Sequence, residues 1–182
     1  MRLFFALPLP AEVKERLRPS LEAARRAGGE GVGFTRIGQI HFTLAFLGEQ
    51  PSAEAALAAG EVLRDNEAFE LAIGGAGAFP NTARPRVLWL GVTEGAAQLV
   101  VAADRLRRAL QANGFSVEER RFRPHLTVGR VRPRGEKWAH LALAAIAPGE
   151  LARCTVREAC LMQSVLGRGG ATHTAVETFG FR

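Results

Sequence analysis

The sequence predicts an α+β fold of two lobes whose antiparallel sheets face a central cleft, with helices on the outside. Three observations lead there. The order strand, helix, strands runs through the chain twice, each pass delivers one strand of the form histidine, apolar, threonine, apolar, and no linker or low-complexity break separates the passes. Two such halves are expected to be related by an approximate twofold within a single domain spanning residues 1–182. A chain of this length buries a substantial core, and 47% hydrophobic with 23% charged residues is a globular rather than a disordered composition.

Residues 2–7, rich in Leu and Phe, read as a short buried strand. Val13, Leu17, Leu21 and Ala24 at helical spacing predict a helix over 11–27, closed by Gly28 and Gly29, with Pro19 expected to kink or restart it. Gly31 to Thr35 is strand or loop, and Gly38 leads into the first histidine strand at 40–47, which Gly48 ends. Pro51 and Ser52 then open a helix reaching Asn66, with Ser52 as N-cap and Glu54 set favourably against the helix dipole. Phe69, Leu71 and Ile73 alternate as in a strand, and Gly74, Gly75 and Gly77 bulge it before Phe79 and Pro80. Those glycines precede a proline instead of opening a helix, which argues against a dinucleotide or Walker-type phosphate loop.

Arg86 to Val92 is nearly all apolar, as in a central strand. Over 95–112, Leu99, Ala103, Leu106 and Leu110 form one core-facing helical stripe that Asn113 and Gly114 stop. The second histidine strand falls at 124–131 and a helix follows at 136–146. Strands at 149–157, 158–165 and 172–179 close the chain, with Gly167 to Gly170 as the last turn.

The chemistry sits in the repeated strand. His41-Phe42-Thr43-Leu44 returns as His125-Leu126-Thr127-Val128. Alternation puts His41 and Thr43 on one face and Phe42 and Leu44 on the other, with the polar pair roughly 7 Å apart along the strand. One phosphate can touch both. Phosphodiester hydrolysis needs a base to deprotonate water and an acid to protonate the leaving oxygen, and imidazole, with an unperturbed pKa of about 6.5, serves either role near neutrality. Thr43 and Thr127 are candidates to hold the non-bridging oxygens. Neither motif has a carboxylate in it or immediately beside it, so the scheme calls for no metal and no cofactor.

Around the second motif Arg120, Arg121, Arg123, Arg130, Arg132 and Arg134 form a basic run, read either as solvated surface or as contacts to an RNA backbone. On a regular strand Arg123, His125, Thr127 and Gly129 share a face and Arg130 takes the other, unless a bulge turns it. The strand ends there, and Arg130 stays a candidate substrate contact. Of the remaining histidines, His140 is expected at the surface or boundary of its helix, and His173 in a structural place or at the rim.

The formal charge is +6, and the 24 basic residues are arginines apart from Lys14 and Lys137. Arginine's planar fork suits phosphate, so a polyanionic partner is favoured, without a choice among RNA, DNA and nucleotides. The opening apolar run is cut by Pro8 and Pro10 before it makes a signal-peptide core, no stretch approaches a membrane span, and a cytoplasmic protein is expected. Cys154 and Cys160 are read as reduced, mostly buried thiols.

Four stretches, Arg2 to Leu7, His41 to Gly48, Ala78 to Val92 and Arg123 to Arg130, together resemble in sequence and order the two-histidine (2H) phosphoesterases, and within them the RNA 2′,3′-cyclic phosphodiesterase family once called 2′-5′ RNA ligases. The resemblance covers about the first 130 residues. It implies hydrolysis of a terminal 2′,3′-cyclic phosphate to a 2′-phosphate with the 3′ oxygen leaving, His41 as proton donor, His125 as proton acceptor, and Thr43 and Thr127 on the phosphate. The expected partner is RNA with a 2′,3′-cyclic phosphate terminus, tRNA fragments among them, and the expected state is a monomer off the membrane. Phe34 stands where the family usually has tryptophan, and with no tyrosine in the chain any base stacking falls to Phe, Trp, His or Arg. Two other readings stay open: 2′-5′ RNA ligation as the reverse reaction at the same site, and a non-catalytic RNA-binding module whose histidines only contact phosphate.

Overall fold

Every residue from Leu3 to Leu7 is buried in β1 (Arg2–Pro8), which accounts for the run of apolar side chains with which the sequence opens. The computed structural model describes residues 1–118, 120–167 and 170–182. Among them a nine-stranded antiparallel sheet runs in the order β7 (Glu150–Val156), β4 (Phe69–Phe79), β5 (Val87–Glu94), β6 (Leu126–Val131), β3 (His41–Glu49), β1, β8 (Glu158–Gly167) and β9 (Gly170–Gly180), with β2 (Val32–Phe34) added to β6.

The middle of this curled sheet is thin. β3 and β6 meet at one register pair, Phe42 with Leu126, while β2 takes the same edge of β6 at Gly129 to Val131. The sheet therefore has two lobes, β7-β4-β5-β6-β2 and β3-β1-β8-β9, the two-lobed α+β arrangement that the sequence predicts. Helices α1 (Ala11–Gly28) and α4 (Glu136–Ala144) pack on the first lobe, and α2 (Glu54–Gly60) and α3 (Ala96–Ala112) on the second. Phe42 and Leu126 are both 0% exposed. Burying side chains of this size stabilises by roughly 1.5–3 kcal/mol each, which anchors the junction from its core side.

Local details depart from the sequence reading. Helix α1 passes through Pro19 without restarting; Pro19 and Glu15 are both exposed, so the Glu15 carbonyl that loses its donor meets water while Val13, Leu17, Leu21 and Ala24 hold the helix to the core. Gly48 does not end β3: at φ +68° it pairs with Leu3 beside a register shift, and the strand runs on to Glu49. Ser52 is not the cap of α2. The first turn closes on Ala53, whose carbonyl accepts from the Leu57 N–H, and the helix gives way at Gly60 to a 3-10 turn over Glu61–Asp65. Gly60 packs against the Phe179 ring, where a Cβ has no room. Strand β6 starts at Leu126, so His125 stands just ahead of it. Of the turn expected at Gly167 to Gly170, Arg168 and Gly169 lie outside the described residues.

Candidate active site

The single pair that joins the lobes also sets the site. Phe42 opposite Leu126 in an antiparallel ladder brings His41 opposite Thr127 and Thr43 opposite His125, all on the face away from the core. Neighbouring pairs agree, since Pro8 lies across from His41, Ala6 from Thr43 and Trp89 from Thr127. Opposite positions in such a ladder are about 5 Å apart and diagonal ones about 7–8 Å. The four motif residues thus form a quadrilateral with the histidines on one diagonal and the threonines on the other. The two imidazoles thus project from neighbouring positions of the same face, one from each lobe.

Both imidazoles are held alike. His41 Nδ1 is 2.7 Å from the Gln39 carbonyl, and His125 Nδ1 is 2.6 Å from the Arg123 carbonyl. A carbonyl only accepts, so each Nδ1 carries a hydrogen and each Nε2 is left as the nitrogen for chemistry. The ring of His41 packs against Phe4 at 5.1 Å, and that of His125 meets Phe79 edge-on at 4.8 Å. Burial holds the His41 pKa below its ordinary value; the bond to the Gln39 carbonyl works the other way, and the charges of His173 and Lys14 add to the lowering.

A bulge settles where Arg130 lies. Trp89 pairs with Thr127 but Leu88 with Gly129, so Val128 is an extra residue in β6 and the alternation flips beyond it. Arg130, opposite Val87, therefore shares the face of Trp89 and the motif residues, and it is exposed. Phe79 lies on that face too, with the Arg123 guanidinium over its ring at 4.9 Å.

His173 belongs to the site, where the sequence reading had it structural or at the rim. It stands 5.4 Å from the His41 ring and 5.0 Å from Phe4, edge-on to both, its Nδ1 buried without a hydrogen-bond partner among the described residues, and burial lowers its pKa. The Gln39 side chain ties this corner together by donating to the Ala171 carbonyl. No local pattern marks His173, Phe4 or Gln39; the pairing of β9 to β8 to β1 brings them together. Phe34, by contrast, pairs with Gly129 beside the second motif, with its ring against Gly28 and Arg25 over it. His140 is exposed on α4 and donates from Nε2 to the Thr82 carbonyl. Cys154 and Cys160 are free thiols, half-buried and buried. Among the described residues, no cluster of His, Cys, Asp or Glu gathers as a metal site, and no helix is long and apolar enough to cross a membrane.

Comparison with known proteins gives a consistent result. The sequence profile of the 2′-5′ RNA ligase superfamily matches residues 8–168. The RNA 2′,3′-cyclic phosphodiesterase of Archaeoglobus fulgidus is 31% identical over 180 residues, covering 98% of this chain and 99% of that one. A crystal structure of a Thermus thermophilus protein superposes with a TM-score of 0.77 at 30% identity, covering 99% of this chain and 97% of that one. Escherichia coli LigT, in a crystal structure complexed with phosphate, superposes with a TM-score of 0.69 at 28% identity over 99% of this chain and 96% of its own.

Proposed function

The chain belongs to the 2′-5′ RNA ligase superfamily, and from that premise we propose that it hydrolyses RNA 2′,3′-cyclic phosphate ends to 2′-phosphates, without a metal ion, through His41 and His125. His125 Nε2 takes a proton from water as the oxygen attacks phosphorus. The bond from phosphorus to the 3′ oxygen breaks, that oxygen receives a proton from His41 Nε2, and the phosphate stays on the 2′ oxygen. Thr43 and Thr127, on the other diagonal, donate to the non-bridging oxygens, and Arg130 adds a fixed positive charge beside them.

The observation that supports this reading best is the diagonal itself: two imidazoles with Nδ1 held by backbone carbonyls, on one face, at ladder positions about 7–8 Å apart. The donor role of His41 is assigned from the family resemblance. Burial alone favours the neutral form of His41, so its proton is held through the charge of the substrate, whose phosphate anion stabilises an adjacent imidazolium. No carboxylate belongs to the quadrilateral, which suits acid–base chemistry between imidazoles and not metal ligation. RNA ends, tRNA fragments among them, supply the cyclic phosphate.

The test is turnover of an oligonucleotide ending in a 2′,3′-cyclic phosphate, in EDTA. A 2′-phosphate product is expected, and His41→Ala and His125→Ala should each lower kcat by about 10² or more with the Tm little changed. Near-wild-type turnover in either variant overturns the pairing. Tight binding without turnover makes the chain an RNA-binding module instead, and joining of ends in excess of hydrolysis makes it a ligase.

A further inference from the structure

The two motif histidines are held by one device, built twice from different parts. Gln39 and Arg123, each two residues ahead of its histidine, accept the Nδ1 hydrogens of His41 and His125 on their backbone carbonyls. The side chain of each then secures the ring that flanks the same histidine. Arg123 lays its guanidinium over Phe79, 4.9 Å from the ring centroid, and Phe79 meets His125 edge-on at 4.8 Å. Gln39 donates from Nε2 to the Ala171 carbonyl near the start of β9, and two residues further on His173 meets His41 edge-on at 5.4 Å.

On the His41 side these contacts close into a loop: His41 Nδ1 to the Gln39 carbonyl, the Gln39 side chain to Ala171, the backbone from Ala171 to His173, and the His173 ring back to His41. Phe4 completes the packing, and the centroids of Phe4, His41 and His173 form a nearly equilateral triangle with sides of 5.0, 5.1 and 5.4 Å. Register puts His173 there. It pairs with Ser164, which pairs with Arg2, two residues before Phe4 and on the same face of β1. His125 has one such ring contact among the described residues.

His173 is not fixed by a hydrogen bond of its own. Its Nδ1 is buried without a partner among the described residues, so its place follows from the β8–β9 pairing and from its two ring contacts, and what it offers His41 is a rigid shape. An imidazole held at Nδ1 alone can still tilt about that one bond, which swings Nε2 through the site. A second ring set perpendicular against it removes the tilt. General acid catalysis depends on that restriction, because the Nε2 hydrogen must lie within hydrogen-bond reach of the leaving oxygen as the bond breaks.

Resting on the donor role proposed above for His41, we propose that His173 is a positioning residue for it, held in place through Gln39, so that the last hairpin of the chain aims the proton at the 3′ oxygen. His173 acts on the breaking of the bond to that oxygen and not on the binding of the phosphate. The hairpin β8–β9 carries neither motif, yet through this one ring it takes part in the chemistry of both lobes.

The experiment compares two leaving groups and adds a signal that needs no turnover. On an oligonucleotide ending in a 2′,3′-cyclic phosphate, His173→Ala should lower kcat about 10-fold or more at unchanged KM and Tm. On the same oligonucleotide with sulfur in place of the bridging 3′ oxygen, which departs as a thiolate without a proton, the loss should fall below about 2-fold. His173→Phe, which keeps the ring, should restore kcat where His173→Gln does not, and Gln39→Ala combined with His173→Ala should cost less than the sum of the two. In nuclear magnetic resonance spectra the His41 Nδ1 hydrogen should exchange with water faster in His173→Ala than in wild type and slow again in His173→Phe. Equal losses on the oxygen and sulfur substrates, better rescue by Gln than by Phe, or an unchanged exchange rate overturns the proposal. An equal loss by His41→Ala on both substrates overturns the donor role on which it rests. If wild type turns over neither substrate the hydrolytic reading fails, and the exchange rate alone still decides whether His173 holds His41.

Discussion

His41 and His125 show how a shared backbone device produces different environments. Each gives its Nδ1 hydrogen to a carbonyl, but His41 lies under Phe4 and beside His173, and burial there favours its neutral form. The sign of the pH effect follows. In the free protein the imidazolium of His41 is disfavoured, so its titration lies at lower pH than an ordinary histidine's; a bound phosphate anion favours the imidazolium and moves the titration up. The profile of kcat/KM reports the free protein and that of kcat the complex. Both should be bell-shaped, with the alkaline limb of kcat at higher pH than that of kcat/KM. Coincident limbs, with chemistry rate-limiting, would count against an anion seated beside these rings.

At the scale of the strand, bulges and glycines decide which side chains reach the reactive face. Single extra residues at Leu44 and Val128 turn out Phe46 and Arg130, and neither position is separable from a regular strand by periodicity. The glycines of β4 act differently. Gly77 lies opposite Trp89, and a Cβ there would run into the six-membered ring of the indole, which thus lies across the bare backbone of β4. Trp89 is in turn the cross-strand neighbour of Thr127. Gly77→Ala should destabilise by about 1–3 kcal/mol, because the indole must shift out of a packed position. It should also raise KM as Thr127 loses a fixed neighbour. Urea denaturation and steady-state kinetics check both, and unchanged stability would show that the indole has room to move.

Across the whole molecule, the two histidine motifs come from two lobes that touch in the sheet, among the described residues, at one register pair. Both lobes feed one hydrophobic cluster that runs from Val13 and Leu17 of α1 to Leu99 and Leu106 of α3, with Phe42 and Leu126 in it. One core argues for one folding unit over residues 1–182, with the two halves of the site held in register by the same burial that stabilises the fold. Calorimetry should then record a single transition with equal calorimetric and van't Hoff enthalpies. Two resolved transitions would show the lobes to be separate units joined by a hinge. The net charge of +6 acts at this scale as well, drawing a polyanion toward the molecule before any specific contact forms.

The sequence by itself determined the elements, the repeated histidine strands and the shared face of each histidine with its threonine, because strand alternation is a local property of the backbone that needs no partner. It also marked α3 as a core-facing helix, for the same reason. The tertiary structure alone decided that His41 and His125 share a diagonal, that Arg130 and Phe46 face the reactive side and that His173 completes it. Register and bulges are set by how distant strands fit together, and one inserted residue reverses the face of every side chain beyond it without leaving a mark on local composition.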